Sequence, residues 1–505
     1  MKTYKILYIS IFAFLALILV SCDSDLLNPL PKDRMSAELF WKTEREAIYA
    51  ANGIYSVLGG SFRYVMMDAY ADIGHVVLQY RDESMVQKHT HNSSSTTVAN
   101  EWRYYYNIIQ SANTFLEQVD MVDVVDEGLI NRLKAEARTL RAFAYINLVM
   151  LYGDVPLLTK NPTLSEARAV SRTPVNDVWD FISTELSEAA LILPPTQTDI
   201  GRVTRGAAHG LRARAMLYAG RYAEARTAAL AVMSLGIHQI HDSYAELFDY
   251  AGQGVSEVIF ARQYARGVST HDVFNTLTAN SLYSARCLLV PTKSLVDAYL
   301  SKSTGLPIDD PTNTAFDPFN PYSDRDPRLA HTVFVSGDVL ANGEILNTMP
   351  KSGSADAIDD LSENSTPTGW YFKKWVSNDD FASPGTCALN LIYLRYAEVL
   401  LTYAEASIEL GGTNIDQSVL DALNQLRTRS DVDMPPVTTM NQTELREIVR
   451  RERLVELALE GHRLFDIRRW RIAENVIPGT LKGMTYEDPD NPGTLEMAEL
   501  SGFVK

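Results

Sequence analysis

RGAAHGLRARAMLYAGRYAEARTAALAVMSLG, residues 205–236, reads as two helices of about 13 residues each that meet at Gly220-Arg221. Its alanines fall where such helices would cross, and side chains that small let two backbones approach closely. Glycine at the junction permits the turn. Tyr218, Gly220, Tyr222 and Ala225 stand at tetratricopeptide spacing. The stretch therefore predicts a helical hairpin.

A second pair lies late in the chain: Leu391–Leu410, a Gly411-Gly412-Thr413-Asn414 turn, then Asp416–Arg429. Helical stripes also precede the first pair. Ser36–Leu58 carries Leu39, Phe40, Ala47, Ile48, Ala51 and Tyr55 on one face, and Glu101–Val119 carries Trp102, Tyr105, Tyr106 and Ile109. Ile130–Tyr152 ends at Gly153-Asp154 with Pro156 beyond, and Val175–Leu193 stops at Pro194-Pro195. Pairs this irregularly spaced predict a hairpin scaffold rather than a free-standing solenoid.

Between residues 250 and 385 the chain is rich in Pro, Gly, Asp, Asn and Ser, with strand-like runs at Glu257–Arg262, Leu329–Val335 and Gly369–Val376. Phe316, Phe319, Tyr322, Trp370 and Tyr371 interrupt the polar residues, which favours an ordered lobe. The predicted fold is mainly α: a tetratricopeptide-like helical-hairpin scaffold with an inserted, irregular, loop-rich lobe containing short strands. The divisions read as signal 1–21, tether 22–35, N-terminal helical scaffold 36–250, lobe 251–388 and C-terminal helical part 389–505.

At the start, Lys2 and Lys5 precede an apolar run from Ile6 to Val20. It is shorter than the roughly 20 residues that span a bilayer, so it reads as a secretory signal. Leu19-Val20-Ser21-Cys22 resembles a bacterial lipobox, in which cleavage before the cysteine exposes a thiol that alone can form the lipid thioether. Cys22 is the predicted lipidation site. Cys22-Asp23-Ser24-Asp25 then opens an acidic tether, giving an anchored chain rather than a spanning one.

The formal charge of −17 argues against nucleic acid and against adhesion to an anionic membrane surface. Cys287 and Cys387 are the remaining cysteines. They could pair across a long loop in an oxidising compartment or stay as buried free thiols.

Several segments together resemble the SusD/RagB family of Bacteroidetes outer-membrane nutrient-binding lipoproteins. They are AEARTLRAFAYINLVMLYGDVPLLT (135–159), GRVTRGAAHGLRARAMLYAGRYAEA (201–225), LIYLRYAEVLLTYAEASIELGG (391–412), LNQLRTRSD (423–431) and RRERLVELALEGHRLFDIRRW (450–470). The resemblance implies a tetratricopeptide-like scaffold, an inserted lobe, a lipid anchor on the outer membrane facing the exterior, and a SusC-like TonB-dependent transporter as partner. It implies a glycan ligand for many members and a peptide for some. A lid without its own ligand is a further alternative.

Arginines crowd residues 446–471, but Glu444, Glu447, Glu452, Glu456 and Glu460 interleave them. Glu447 and Arg451 are helical neighbours four apart, so intramolecular ion pairs locking the last helices are predicted. No hydrolase motif, phosphate loop or Cys-x-x-Cys pair is present, which argues against an enzyme and for no cofactor. His89 and His91 stand two apart in a probable loop without evident third and fourth ligands, so no metal site is predicted. Sugar recognition needs flat aromatic faces beside amide, carboxylate or guanidinium groups. The loop from Tyr64 to Asn100 supplies Tyr64, Tyr80, Arg81 and Asn92, and the lobe supplies Tyr283 and Tyr322. These six are the candidate ligand contacts, whereas Trp102, Trp370 and Trp375 read as core.

Overall fold

The computed structural model describes residues 40–500 apart from 60, 79–80, 280, 283–286, 361–364, 413 and 478. The predicted signal, Cys22 and the tether lie outside the described residues. Six long helices precede the lobe: α1 (Glu44–Ser56), α2 (Thr96–Gln118), α3 (Glu127–Tyr152), α4 (Val175–Ile192), α5 (Arg205–Tyr218) and α6 (Tyr222–Met233). After it come α7 (Tyr396–Gly411), α8 (Gln417–Arg427), α9 (Gln442–Glu456) and α10 (Arg463–Trp470).

Local chemistry sets the helix ends. Thr43 and Glu46 form a capping box before α1, in which the Thr43 N–H donates to Glu46 Oε2 at 2.7 Å. The first N–H groups of a helix lack intrahelical partners, and such a box satisfies them reciprocally. Asp126 caps α3 by accepting the Leu129 N–H at 3.1 Å. Gly220 takes φ 73° between α5 and α6, and the Arg221 N–H closes the turn on Met216 O at 2.8 Å.

Each scaffold helix packs on the next, α2 through α6 in order, and α7 packs on α8 and α9. α6 also packs on α7, so the hairpins on either side of the inserted lobe join in one array. Ala207, Ala208, Ala215, Ala228 and Ala229 are buried at these crossings. On the other flank of α5, a Cβ on Gly210 would lie 2.5 Å from Leu394 Cδ2. Glycine there is what lets the helix sit against the strand that carries Leu394.

The strands form four two-stranded antiparallel sheets. β1 (Gly74–Val76) pairs with β3 (Leu289–Pro291), β2 (Val258–Arg262) with β6 (Leu391–Arg395), β4 (Val333–Phe334) with β5 (Tyr371–Phe372), and β7 (Leu481–Glu487) with β8 (Leu495–Leu500). The predicted strand at 329–335 is half helical turn, Arg328–Thr332, because Asp326 Oδ1 accepts the Arg328 N–H at 3.0 Å and starts a turn. The β7–β8 hairpin departs from the helical reading of the C-terminal part. Its position is set from outside, by the Met484 N–H donating to Thr368 O at 2.8 Å.

Trp370 and Trp375 are core, while Trp102 is half-buried with its ring edge-on to Tyr152 at 5.1 Å. Cys287 and Cys387 are free thiols, buried in a small apolar cluster of the lobe with Phe274 and Tyr371. Burial pushes the Cys387 thiol up to about 12.

The arginine-rich segment does lock the last helices. Arg395 meets Glu257, Glu456 and Glu460 at 2.7–2.8 Å, and Arg328 meets Asp326 at 2.7 Å, Glu452 at 2.5 Å and Glu456 at 2.8 Å. One predicted pair is different. Glu447 turns to Arg450 at 3.8 Å rather than to Arg451, which makes no ion pair among the described residues.

Candidate ligand-binding site

Of the loop that sequence nominates, 64–100, the first part, 65–78, is drawn inward. Met66, Met67, Asp68, Tyr70, Asp72, Ile73 and Val76 are all buried. Asp72 grips the Arg463 guanidinium with both oxygens at 2.7 and 2.8 Å, and Asp68 accepts the Gly461 and Arg463 N–H groups. Burial raises the Asp68 carboxyl to about 7. Gln87 holds the following short helix, its Nε2 donating to Ala69 O and Gly74 O at 2.8 Å.

The six predicted contacts fall into three situations. Tyr64 packs its ring edge-on against Tyr393 at 5.7 Å, and its hydroxyl is buried without a hydrogen-bond partner among the described residues. Tyr322 accepts the Trp370 Nε1–H at 2.8 Å, and burial pushes its phenol up to about 12. Both rings thus serve packing. Arg81 and Asn92 lie nearer the surface: Arg81 Nε donates to Glu83 at 3.1 Å, and Asn92 Oδ1 accepts the Ser94 N–H at 2.8 Å in an exposed turn. Tyr80 and Tyr283 lie outside the described residues. The β1–β3 ladder is extended by one bond beyond Val76, the Val77 N–H donating to Leu288 O at 3.0 Å.

His89 and His91 are exposed, and no group of three metal-ligating side chains occurs among the described residues.

Beside that loop lies a polar cluster that sequence reasoning passed over. Arg63 Nε stands 2.5 Å from Glu101 Oε1 and its guanidinium lies 3.9 Å over the Tyr104 ring. The Tyr104 hydroxyl accepts the Gly59 N–H, and Gly59 O accepts the Tyr393 hydroxyl at 2.9 Å. Glu101 is 7 % exposed with Oε2 unpartnered, and burial, opposed by Arg63, raises it to about 7.

From here a cleft opens between the N-terminal helices and the lobe. One cavity of about 370 Å³ is lined by Asn52, Tyr55, Ser56, Leu58, Arg262 and Ser269. A second of about 280 Å³ continues past Gln197, His238, Phe248 and Asn390. The two share Asp199, Gly201, Arg202, Ala261 and Gln263. The strap 199–202 between them is held by Arg202, which donates to Glu136 at 2.8 Å, Asp199 at 2.9 Å and Asn52 at 2.7 Å. Gly201 takes φ 89° and any Cβ there would meet Gln263 Cγ at 2.5 Å, so glycine lets the strap lie on the lobe. The helical turn Ser61–Met66 packs on Val273–Leu277, which packs on β3.

The cleft as a whole offers carboxamides, guanidinium groups and apolar walls. That set is suited to holding a hydroxyl-rich or amide-rich chain by many weak bonds. Its parts were hard to find in sequence, because Asn52, Gln197, Gln263 and Asn390 are isolated amides with no common motif.

Two family models match the chain: "SusD family" over residues 256–499 and "Starch-binding associating with outer membrane" over residues 61–217. SusD-like protein P2 of Formosa agariphila is 27% identical over 94% of this chain and 92% of its own length. A SusD-like carbohydrate-binding protein of Bacteroides fragilis, solved by crystallography, is 29% identical, covers 90% of both chains and superposes with a TM-score of 0.81. A second SusD-like structure from Bacteroides fragilis is 26% identical over 93% of this chain and 94% of its own, with a TM-score of 0.78. The helical array, the inserted lobe and these matches agree, and the chain belongs to the SusD/RagB family.

Proposed function

We propose that this protein is a surface-exposed lipoprotein that captures a nutrient oligosaccharide and delivers it to a SusC-like TonB-dependent outer-membrane transporter. The observation that carries the reading is the cleft at Gly201, where two adjoining cavities share the walls Asp199, Gly201, Arg202, Ala261 and Gln263. Cavities of about 280 and 370 Å³ can seat sugar rings, and the Gln263 and Asn390 amides, held together by Asn390 Nδ2 donating to Gln263 Oε1 at 2.8 Å, keep further donor and acceptor capacity for hydroxyl groups. A relative described as carbohydrate-binding supports the ligand class.

Tyr80, Arg81, Asn92 and Tyr283 are proposed as direct contacts, with Tyr64 and Tyr322 shaping the surface from behind. The division into scaffold 36–250, lobe 251–388 and C-terminal part 389–505 is proposed as the organisation that holds this face. Cys22 is proposed as the lipid anchor. No helix among the described residues is long and apolar enough to cross a membrane.

The test is calorimetry of the mature chain against a panel of neutral and acidic oligosaccharides and peptides, with product analysis in the same samples. Saturable glycan binding without turnover supports the reading. Binding of peptides alone favours the peptide alternative, products would mean an enzyme, and no saturable binding would leave a transporter lid.

A further inference from the structure

Arg451 breaks the pattern of its helix. Along α9, Arg446 pairs with Glu409 at 2.7 Å, Arg450 with Glu447 at 3.8 Å and Arg453 with Asp466 at 3.2 Å. Arg451 is half-buried and has neither an ion pair nor a hydrogen bond among the described residues. Removing a guanidinium from water without a partner is unfavourable, so such a group is retained at a cost unless something binds it.

It lines a cavity of about 230 Å³ between the lobe and the C-terminal helices, together with Thr304, Gly305, Arg427, Pro435, Thr438 and Glu452, whose carboxylate is already engaged by Arg328 and Arg427. Arg427 donates Nε–H to Pro435 O at 2.7 Å and Nη1–H to Glu452 at 3.1 Å, which leaves Nη2 without a partner among the described residues. That Nη2 lies 3.8 Å from where a Cβ on Gly305 would sit, and Gly305 takes φ 68°, so glycine keeps this wall open. Thr438 is exposed, and its hydroxyl has no partner among the described residues. Burial pushes the Arg451 guanidinium down from its usual value, opposed by Asp309, Glu447 and Glu452 and aided by Arg427. The group nevertheless stays charged at neutral pH, as arginine does in proteins.

We propose that this cavity is a binding site for an oxyanion, a sulfate or carboxylate group carried on a larger ligand. Two unengaged N–H edges and one hydroxyl converge on it, and a guanidinium fork accepts two oxygens of such a group side by side. Neither Asp309 nor Glu447 reaches ion-pair distance of Arg451, so the fork is open to an incoming ligand. A net charge of −17 repels free anions over long range. Selection therefore rests on these short bonds and on contacts made by the remainder of the ligand. This site is separate from the cleft at Gly201, so the proposal stands whether or not neutral glycans bind there.

The test uses the full mature chain with sodium sulfate and sodium glucuronate as probes, glucose as the neutral control, and sodium chloride to hold ionic strength. Thermal shift and calorimetry read the response, and a selenate soak read by anomalous scattering gives the position. The expected result is a saturable response to at least one anion, absent with glucose, with selenate beside Arg451. Arg451→Gln should weaken it at least about ten-fold, and Arg451→Lys, which keeps charge but loses the fork, by less. Response to sulfate alone assigns a sulfate ester; response to glucuronate alone assigns a carboxylate. If Arg451→Gln does not fold, Thr438→Val at the exposed rim carries the test and should weaken binding several-fold. No saturable response beyond chloride, or an undiminished response in these variants, overturns the proposal.

Discussion

Arg395 Nη1 lies 2.7 Å from Glu456 Oε1, both side chains withdrawn from water, across 61 residues of sequence. The same carboxylate also receives Arg328 at 2.8 Å and Arg429 at 3.1 Å. One acid thus ties together the lobe, the strand β6, the end of α8 and the end of α9. A buried pair adds little over a well-packed apolar substitute, yet breaking it strands charges in a dry interior.

Glu456→Ala should therefore destabilise the fold by about 3–5 kcal/mol. Denaturant unfolding checks this, and a loss under about 1 kcal/mol would show that water reaches the site. Acid should act in the same direction. Glu460 and Asp466 are held down to about 2 by Arg395 and by Arg453 respectively, against their burial. Their contribution is complete above the ordinary carboxylate range and is lost as pH falls towards 2.

Glu101 titrates with the opposite sign. Its folded value of about 7 exceeds its ordinary value, so its folded form binds the extra proton and stability falls as pH rises from about 4.5 to 7. Glu101→Gln should gain on the parent across that range, by about 2 kcal/mol between pH 5 and 8. Melting curves of both proteins at each pH decide it. A constant difference would mean that Arg63 already keeps the carboxylate ionised.

Gly483→Ala should cost roughly 1–3 kcal/mol, since a Cβ there would lie 2.6 Å from Thr368 O and 2.7 Å from Thr368 Cα, which are backbone atoms that cannot swing away. Gly479, with nothing within 4 Å of its Cβ position, is the control and should tolerate alanine. Equal stabilities would show that the β7–β8 hairpin shifts freely.

For the ligand, Tyr80→Ala and Arg81→Ala should each weaken glycan binding several-fold, about 1 kcal/mol, without changing the melting temperature. Tyr322→Ala should do the reverse: it removes the acceptor of the Trp370 Nε1–H and lowers stability first. Calorimetry beside melting curves separates the two patterns.

Cys22→Ala should move the protein from the membrane fraction to the soluble one and abolish fatty-acid incorporation, because a single acyl chain binds only marginally and several hold firmly. Unchanged fractionation would exclude the lipobox.

Sequence by itself determined the hairpins. Gly220, the alanines of 205–236 and the apolar stripes of 130–152 and 396–410 act over three or four residues, and a helix needs nothing more distant to declare its period; Leu391–Arg395, which the same periodicity reads as the start of a helix, is instead the strand β6, because β2 pairs with it. Tertiary structure alone decided where the lobe's strands pair, that Arg451 has no ion-pair partner among the described residues, and which segments wall the cleft. Spacing offers Glu447 to Arg451, but the packed helix gives it to Arg450, at 3.8 Å. Tyr64 and Tyr322 have the composition of sugar platforms, yet packing turns one onto Tyr393 and the other onto Trp370. Asn52, Gln197, Gln263 and Asn390 carry no local signal, because what relates them is a cleft formed by segments far apart in the chain. Helical periodicity is a short-range property of the backbone; burial, pairing and cavity walls depend on residues hundreds of positions apart, and only the folded chain brings them together.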